Sequence, residues 1–428
     1  MSATLFERDT VKGIRLHVLP TDRYKTTAIS VFIGHLLEEN TVTPIAVTPF
    51  VLRRGTARYP ETKQFREALD LMYGAGFGFD IYKRGDYQIV NFRMDVIQDE
   101  FVSSGTSLLK EALTFFGETL TKPVLENNRF RERYVEAEKD TVRKKLEAIV
   151  NDKARYAAER CIEEMCKDEP YRLHPLGTKE GLESITPESL YSIYRAWLSE
   201  APIDLYVVGN TSLEEVKALV ENVFAFERST VASDKYSFTR REKQVADIHT
   251  VVERMEVGQG KLNMGLRVPT SYGDANYATA LVYNGILGSF PHSKLFTNVR
   301  EKASLAYYAS SRLDGHKGIL TIQSGIEIAN YEKAVDIIKA QLAAMRSGEI
   351  SELEMSQTKA MIGNHLKELN DNAYETIAFD FNSVLSGKER TAEQLWSEVS
   401  SVSVNDIVQF APGVQLDTIY FLRDRKEA

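Results

Sequence analysis

A chain of 428 residues exceeds what one hydrophobic core ordinarily organises, so two domains are expected. Hydrophobic residues at 43% and charged residues at 27% exclude a disordered or collagen-like chain, and the 53 Lys and Arg against 61 Asp and Glu argue against nucleic-acid coating or polybasic membrane binding. No apolar run reaches the roughly 18–20 residues that cross a bilayer, and the charged start MSATLFERDTVKG lacks a signal-peptide core, which points to the cytoplasm.

The first stretch alternates like strands: Ile14, Leu16 and Val18, then, after PTDRYK, the run Ala28 to Ile33. Pro60 is read as the first position of a helix with Phe65, Leu69 and Met72 on one face and Gly74 as its stop. GFGFDIY and YQIVNFRM read as strands joined by the turn KRGD. From Asp95 to Met165 the pattern is mostly helical, with Phe130, Tyr134, Val142, Leu146 and Ile149 as the apolar stripe. Cys161 and Cys166 fall on this helical stretch; five residues apart they face different ways, suit neither a disulfide nor a CxxC site, and read as partly buried small side chains. ITPESLYSIYRAWLS is a helix with Thr186 as N-cap, followed by the strand IDLYVVGN.

Residues 226–248 are polar and aperiodic, as a linker would be. The order then repeats: strands over Val252 to Val268, a helix over Asn276 to Leu287, strands LAYYASSRL and GILTIQSGI, and long helices from Tyr331 to about Leu385. The closing pair VSVNDIVQF and LDTIYFL echoes ITPESL and IDLYVVG roughly 215 residues earlier. The expectation is an α+β protein of two homologous α/β-sandwich domains in tandem, 1–225 and 249–428, each an antiparallel sheet plus a helical layer.

The segment YNGILGSFPHSKLFTNVREKASLAYYASS resembles the C-terminal domain signature of the insulinase/pitrilysin metallopeptidase superfamily, in its mitochondrial-processing-peptidase-like branch. Leu287-Gly288, Ser293-Lys294-Leu295-Phe296, Arg300-Glu301-Lys302 and Leu305-Ala306-Tyr307 carry the match, and the two-half layout extends it over nearly the whole chain. NDKARYAAERCIEEMCKDEPYRLHPLG resembles bacterial members that are encoded as pairs.

The resemblance implies an HxxEH zinc motif ahead of a Gly-Thr pair, with a further Glu on a downstream helix. Here, registered on Gly55-Thr56, Ala46 and Phe50 stand where the two His belong and Pro49 where the general-base Glu belongs. Downstream, Glu138 matches the first Glu of the ligand helix, but Lys145 occupies the ligand position, and a cation there repels a metal. No metal is therefore expected in this chain. His35 with Glu38 and Glu39 contains an HxxE fragment but no second His, and His17, His174, His249, His292, His316 and His365 are scattered singly. GAGFGF opens a strand rather than a helix, so it is no phosphate loop.

Arg300 and Tyr307 survive. In active relatives the matching residues face the zinc, the Arg holding substrate backbone and the Tyr stabilising the oxyanion, which makes them the candidate catalytic pair. The resemblance also implies a substrate-pairing edge strand, here Gly76, Phe77, Gly78 and Phe79. Together these imply a non-zinc subunit of a heterodimeric zinc endopeptidase, its cofactor zinc held by a homologous HxxEH-bearing partner, or a homodimer in that partner's absence, acting on peptides and not on nucleic acid or membrane. A non-catalytic peptide-binding scaffold and an independent metallopeptidase with a rebuilt site are the alternatives.

Overall fold

The computed structural model describes residues 5–103, 105, 107–224, 227–229, 235–237 and 245–425; much of the expected linker 226–248 lies outside the described residues. In chain order the first half contains β1 (Glu7–Val11), β2 (Ile14–Pro20), β3 (Thr26–Leu36), α1 (Val42–Leu52), α2 (Thr62–Leu71), β4 (Gly76–Arg84), β5 (Tyr87–Ile97), α3 (Leu108–Thr121), β6 (Leu125–Glu126), β7 (Arg129–Phe130), α4 (Glu132–Asn151), α5 (Lys153–Met165), α6 (Lys179–Glu183), α7 (Pro187–Glu200), β8 (Ile203–Gly209) and α8 (Leu213–Val223). The second contains β9 (His249–Arg254), β10 (Gly260–Arg267), α9 (Tyr277–Asn284), β11 (Ala306–Asp314), β12 (Ile319–Ile326), α10 (Tyr331–Ser347), α11 (Glu352–Glu368), α12 (Ala373–Ser386), α13 (Ala392–Ser401), α14 (Val404–Phe410) and β13 (Gln415–Arg423).

Two larger sheets form, ordered β1-β2-β8-β3-β5-β4 and β11-β12-β10-β13-β9. Each contains one parallel pair, β2 with β8 and β9 with β13, among antiparallel neighbours. Reading β2, β3, β4, β5 and β8 against β9, β10, β11, β12 and β13 gives the same spatial order in both halves. The fold is thus α+β with two similar domains, as the repeated sequence order predicts. β4 and β11, which carry the candidate substrate strand and Tyr307, are equivalent edge strands.

By contacts the chain divides into Met1–Glu147 with Leu173–Ser237 and Asn372–Phe381, and Ala148–Arg172 with Phe238–Asp371 and Asn382–Ala428. This division cuts the chain differently from the linear boundaries 1–225 and 249–428, because each sheet has two faces to cover. In the first unit Ile29, Val31 and Ile33 of β3 and Phe92 and Met94 of β5 face a core shared with Leu113 and Phe116 of α3 and Leu190 and Trp197 of α7. The other sheet face presents Phe32, which stacks on Phe381 of α12 at 3.9 Å between centroids. In the second unit α5 covers the sheet, with Ala157 and Cys161 against Tyr420 and Leu422. Arg267 fixes the end of α5 by donating to the Met165 carbonyl at 2.7 Å and pairing with Glu169 at 2.7 Å and Asp417 at 2.9 Å.

Local structure departs from the sequence reading in four places. α2 starts at Thr62, with Glu61 as N-cap and a reciprocal capping box to Gln64, so Pro60 precedes the helix. The stretch from Asp95 to Met165 is not uniformly helical: Asp95 belongs to β5, whose alternating side chains continue to Ile97, and the β6–β7 hairpin precedes α4, leaving Phe130 off the helix. α9 gives way at Gly285 to a wide π-turn through Ser289, because Gly288 passes so near β11 that a Cβ would stand 2.6 Å from the Ser311 nitrogen. Both cysteines are fully rather than partly buried, at 1% and 0% exposure, and burial pushes the Cys161 thiol up. Thr186 caps α7 as expected, accepting from the Ser189 amide.

The second face of the first sheet also buries charge. Asp204 of β8 accepts from His17 Nε2 at 2.8 Å and from Arg15 at 2.5 Å, and Tyr236 donates to it at 3.2 Å. Arg8 makes a bidentate pair with Asp380 of α12, and Tyr206 donates to the same carboxylate at 2.8 Å. Burial alone raises the Asp204 pKa, but the His17 and Arg15 donors outweigh it and hold the carboxyl below its ordinary value. A depressed carboxylate stabilises the fold above its unfolded pKa of about 3.9 and loses that contribution as pH falls through the folded value. Asp204→Asn should therefore cost about 3–5 kcal/mol at neutral pH, because it removes the buried charge on which the Arg15, His17 and Tyr236 donors converge. It should also flatten the loss of stability below about pH 4. Urea unfolding midpoints measured across pH check both; equal midpoints for the two proteins at pH 7 would remove the network from the stability account.

Candidate functional site

Every residue of α1 is buried, so the segment VTPIAVTPFVL is a core helix rather than a rim. Pro49 has no N–H to give to the preceding turn, and Thr48 donates its hydroxyl to the Pro44 carbonyl at 2.9 Å. Ala46 and Phe50, the two expected histidine positions, are 0% and 5% exposed. Phe50 meets Phe79 of β4 edge-to-face at 4.7 Å, and the Lys145 ammonium of α4 lies 5.7 Å from its ring centre. The fold thus brings together Phe50 and Lys145, two positions where the family pattern places metal ligands. What meets there is a ring and a cation.

Glu138, one carboxylate of that pattern that persists, is 4% exposed and accepts from Nε of Arg54. The donor set does not fit zinc: methyl, pyrrolidine and phenyl groups offer no lone pair, and the ammonium repels a divalent ion. Among the described residues no group of three or more His, Cys, Asp or Glu side chains is placed to hold a metal. A rebuilt metallopeptidase site consequently has no donors there. His35 lies inside β3, its Nδ1 2.6 Å from the Leu36 carbonyl, with Glu38 and Glu39 exposed in the turn that follows. His17 belongs to the Asp204 network, His292 bonds Thr358 at 2.9 Å and His316 bonds Asn382 at 3.0 Å.

Gly76, Phe77, Gly78 and Phe79 open β4, the edge of the six-stranded sheet. Phe77 turns inward, 5.7 Å from Phe65 and 5.5 Å from Phe116, and Phe79 follows it into the core against Phe50 and Phe92. Alternation leaves Gly76, Gly78 and Asp80 on the opposite face, where nothing lies within 4 Å of a Cβ placed on Gly78. The strand thus offers an extended peptide main chain and a low glycine surface rather than phenylalanine side chains.

Arg300 lies in a π-helical segment, Phe296–Lys302, with its guanidinium 4.5 Å from the Phe296 ring centre. Ser304 then takes a left-handed conformation at φ +51°, uncommon for a non-glycine residue, and Leu305 is buried. Tyr307 follows as the extra residue of a β-bulge: Ala306 pairs with Ile326, Tyr308 with Gly325, and Tyr307 has no partner in the ladder. The bulge turns its side chain outward, 65% exposed on an edge strand. Sequence reasoning identified Arg300 and Tyr307 by motif but had no signal for the bulge. It also missed an open pocket of about 290 Å³ beside the replaced centre, lined by Arg53, Arg54 and Arg66.

Two α+β halves of one topology, with a ring and an ammonium at the metal position, define a metallopeptidase-like chain that lacks its metal ligands. Comparison with known proteins agrees. The model of the peptidase M16 inactive domain matches residues 184–362. A Bacillus subtilis (strain 168) protein named probable inactive metalloprotease YmfF is 37% identical over 416 residues, covering 97% of each chain. The uncharacterized zinc protease YmxG of the same strain is 26% identical over 237 residues, 54% of this chain and 56% of that one. The crystal structure of a conserved protein from Enterococcus faecalis V583 superposes with a TM-score of 0.90 at 32% identity, covering 99% of both chains. The chain belongs to the peptidase M16 family, the insulinase/pitrilysin superfamily. Among the described residues no helix is long and apolar enough to cross a membrane.

Dialysis of the purified chain against excess zinc, followed by desalting and elemental analysis, should leave far less than one zinc per chain. A stoichiometric ion that Lys145→Ala does not affect but Glu138→Gln releases would overturn this assignment.

Proposed function

We propose that this chain is the non-zinc subunit of a two-chain peptidase of the bacterial cytoplasm, lending Arg300 and Tyr307 to a site whose metal is held by a homologous HxxEH-bearing partner. Zinc bound by the HxxEH side chains of such a partner would supply Lewis-acid activation of water. The Tyr307 hydroxyl donates a hydrogen bond to the carbonyl oxygen as it becomes an oxyanion, and the Arg300 guanidinium holds a substrate backbone carbonyl through its planar donors. The single observation that carries this reading is the asymmetry between the two halves: Phe50 lies under Lys145 where the resemblance puts metal ligands, whereas a bulge holds Tyr307 65% exposed. Burying an aromatic ring is the ordinary use of one; presenting it on a bulged edge is a placement suited to contact with another molecule.

A second reading, a peptide-binding scaffold with no share in catalysis, is favoured by β4, an edge strand among the described residues, which needs no catalytic group to bind an extended segment. The two readings part at the phenol. With the HxxEH partner present, Tyr307→Phe should lower kcat for peptide cleavage about 100-fold, the scale of one lost oxyanion donor. Arg300→Ala should weaken peptide binding and raise KM. Unchanged turnover in both variants, with assembly intact by size-exclusion chromatography, would leave the scaffold reading in place.

A further inference from the structure

The two helices that carry the replaced ligand positions continue into the pocket beside them. Arg53 and Arg54 follow Phe50 by about one turn, and Glu138 precedes Lys145 by two turns on the same side of α4. The pocket encloses about 290 Å³, near the lower limit of ligand pockets and large enough for one or two amino-acid side chains. Its floor is apolar: Phe65 is buried, and Leu69 and Phe77 are half-buried. Its polar wall is cationic. Arg53, Arg54 and Arg66 line it, and the single lining carboxylate, Glu138, is already engaged by Arg54. Arg53 stacks on the Phe79 ring at 5.2 Å, which aims its guanidinium without neutralising it. Arg66 is exposed on α2.

We propose that this pocket binds the carboxylate of an extended peptide, from an acidic side chain or a free C-terminus, with a neighbouring apolar side chain on the Phe65–Leu69–Phe77 floor. Guanidinium groups match a carboxylate with paired, parallel donors, and several converge here on a surface otherwise suited to an apolar side chain. Phe77 belongs to β4, so a peptide added to that edge runs past the pocket mouth and presents alternate side chains to it. The proposal concerns affinity of this chain alone and stands whether or not a zinc-bearing partner exists.

The test is calorimetric titration of the full chain with three unlabelled peptides of alternating Val and Ser: one with a central Glu and an amidated C-terminus, one with Gln and a free C-terminal carboxylate, and one with Gln and an amide. At least one acidic peptide should bind about tenfold tighter than the neutral one, the scale of a single charge-assisted hydrogen bond. Which of the two does so identifies the source of the carboxylate. The preference should shrink with added salt and vanish in Arg53→Ala/Arg66→Ala, whose two exposed side chains can be removed with the fold verified by circular dichroism. Equal behaviour of all three peptides up to millimolar concentration would overturn the proposal, as would an acidic preference that survives in the double variant.

Discussion

An ammonium group beside a benzene ring, where the family pattern converges metal ligands, is the contact on which the rest of this molecule's chemistry depends. Lys145 and Phe50 come from helices far apart in sequence, and their meeting leaves these two positions unsuited to a divalent ion in two ways. The ring fills the space, and the ammonium sets a positive potential there. Neither effect disturbs packing. The ring seals against Phe79, while the long Lys145 stem keeps its charge at the solvent boundary. The contact is ordinary core with a basic rim, and Arg53 and Arg54, which follow Phe50 in the chain, line a pocket with Arg66.

The duplicated topology explains why the remaining features sit where they do. In each sheet the central strands pair on both sides, so their main-chain groups are committed. Only edge strands have main chain to offer or tolerance for an irregularity that redirects a side chain. β4 and β11 are the same edge in the two halves, but they are used differently. β4 remains regular, with glycines on one face and phenylalanines anchored on the other. β11 carries a bulge at Tyr307, preceded by the left-handed Ser304 and the narrow packing of Gly288 against Ser311. One edge thereby keeps a regular main chain, and the other turns a tyrosine side chain outward.

The layers themselves were legible because their signals are local. Alternation marked β2, β3, β5 and β12; the Thr186-Pro187 pair marked the start of α7; and the echo of ITPESL and IDLYVVG in VSVNDI and LDTIYFL reported the duplication. Where the reading slipped, a nonlocal requirement had overridden a local one. The π-turn after α9 answers to β11, whose backbone crosses Gly288, and nothing in YNGILGS by itself announces that neighbour. Phe130 has helical spacing from Tyr134, yet it belongs to a hairpin.

Residue identity alone determined that this chain has no zinc site of the family kind: alanine, proline and phenylalanine have no donor atoms, whatever surrounds them, and a lysine carries the wrong charge. The same is true of the helices, strands and their repetition, which follow from periodicities of a few residues. Only the tertiary structure decided that the Lys145 ammonium lies over the Phe50 ring, that three arginines and one carboxylate line a common pocket, and that Tyr307 is left out of the ladder between its strand and the next. It also decided that the segments 148–172 and 372–381 cover sheet faces outside their own halves of the chain. Those facts are relations between distant residues, fixed by which surfaces must be buried together, and no spacing along the chain encodes them.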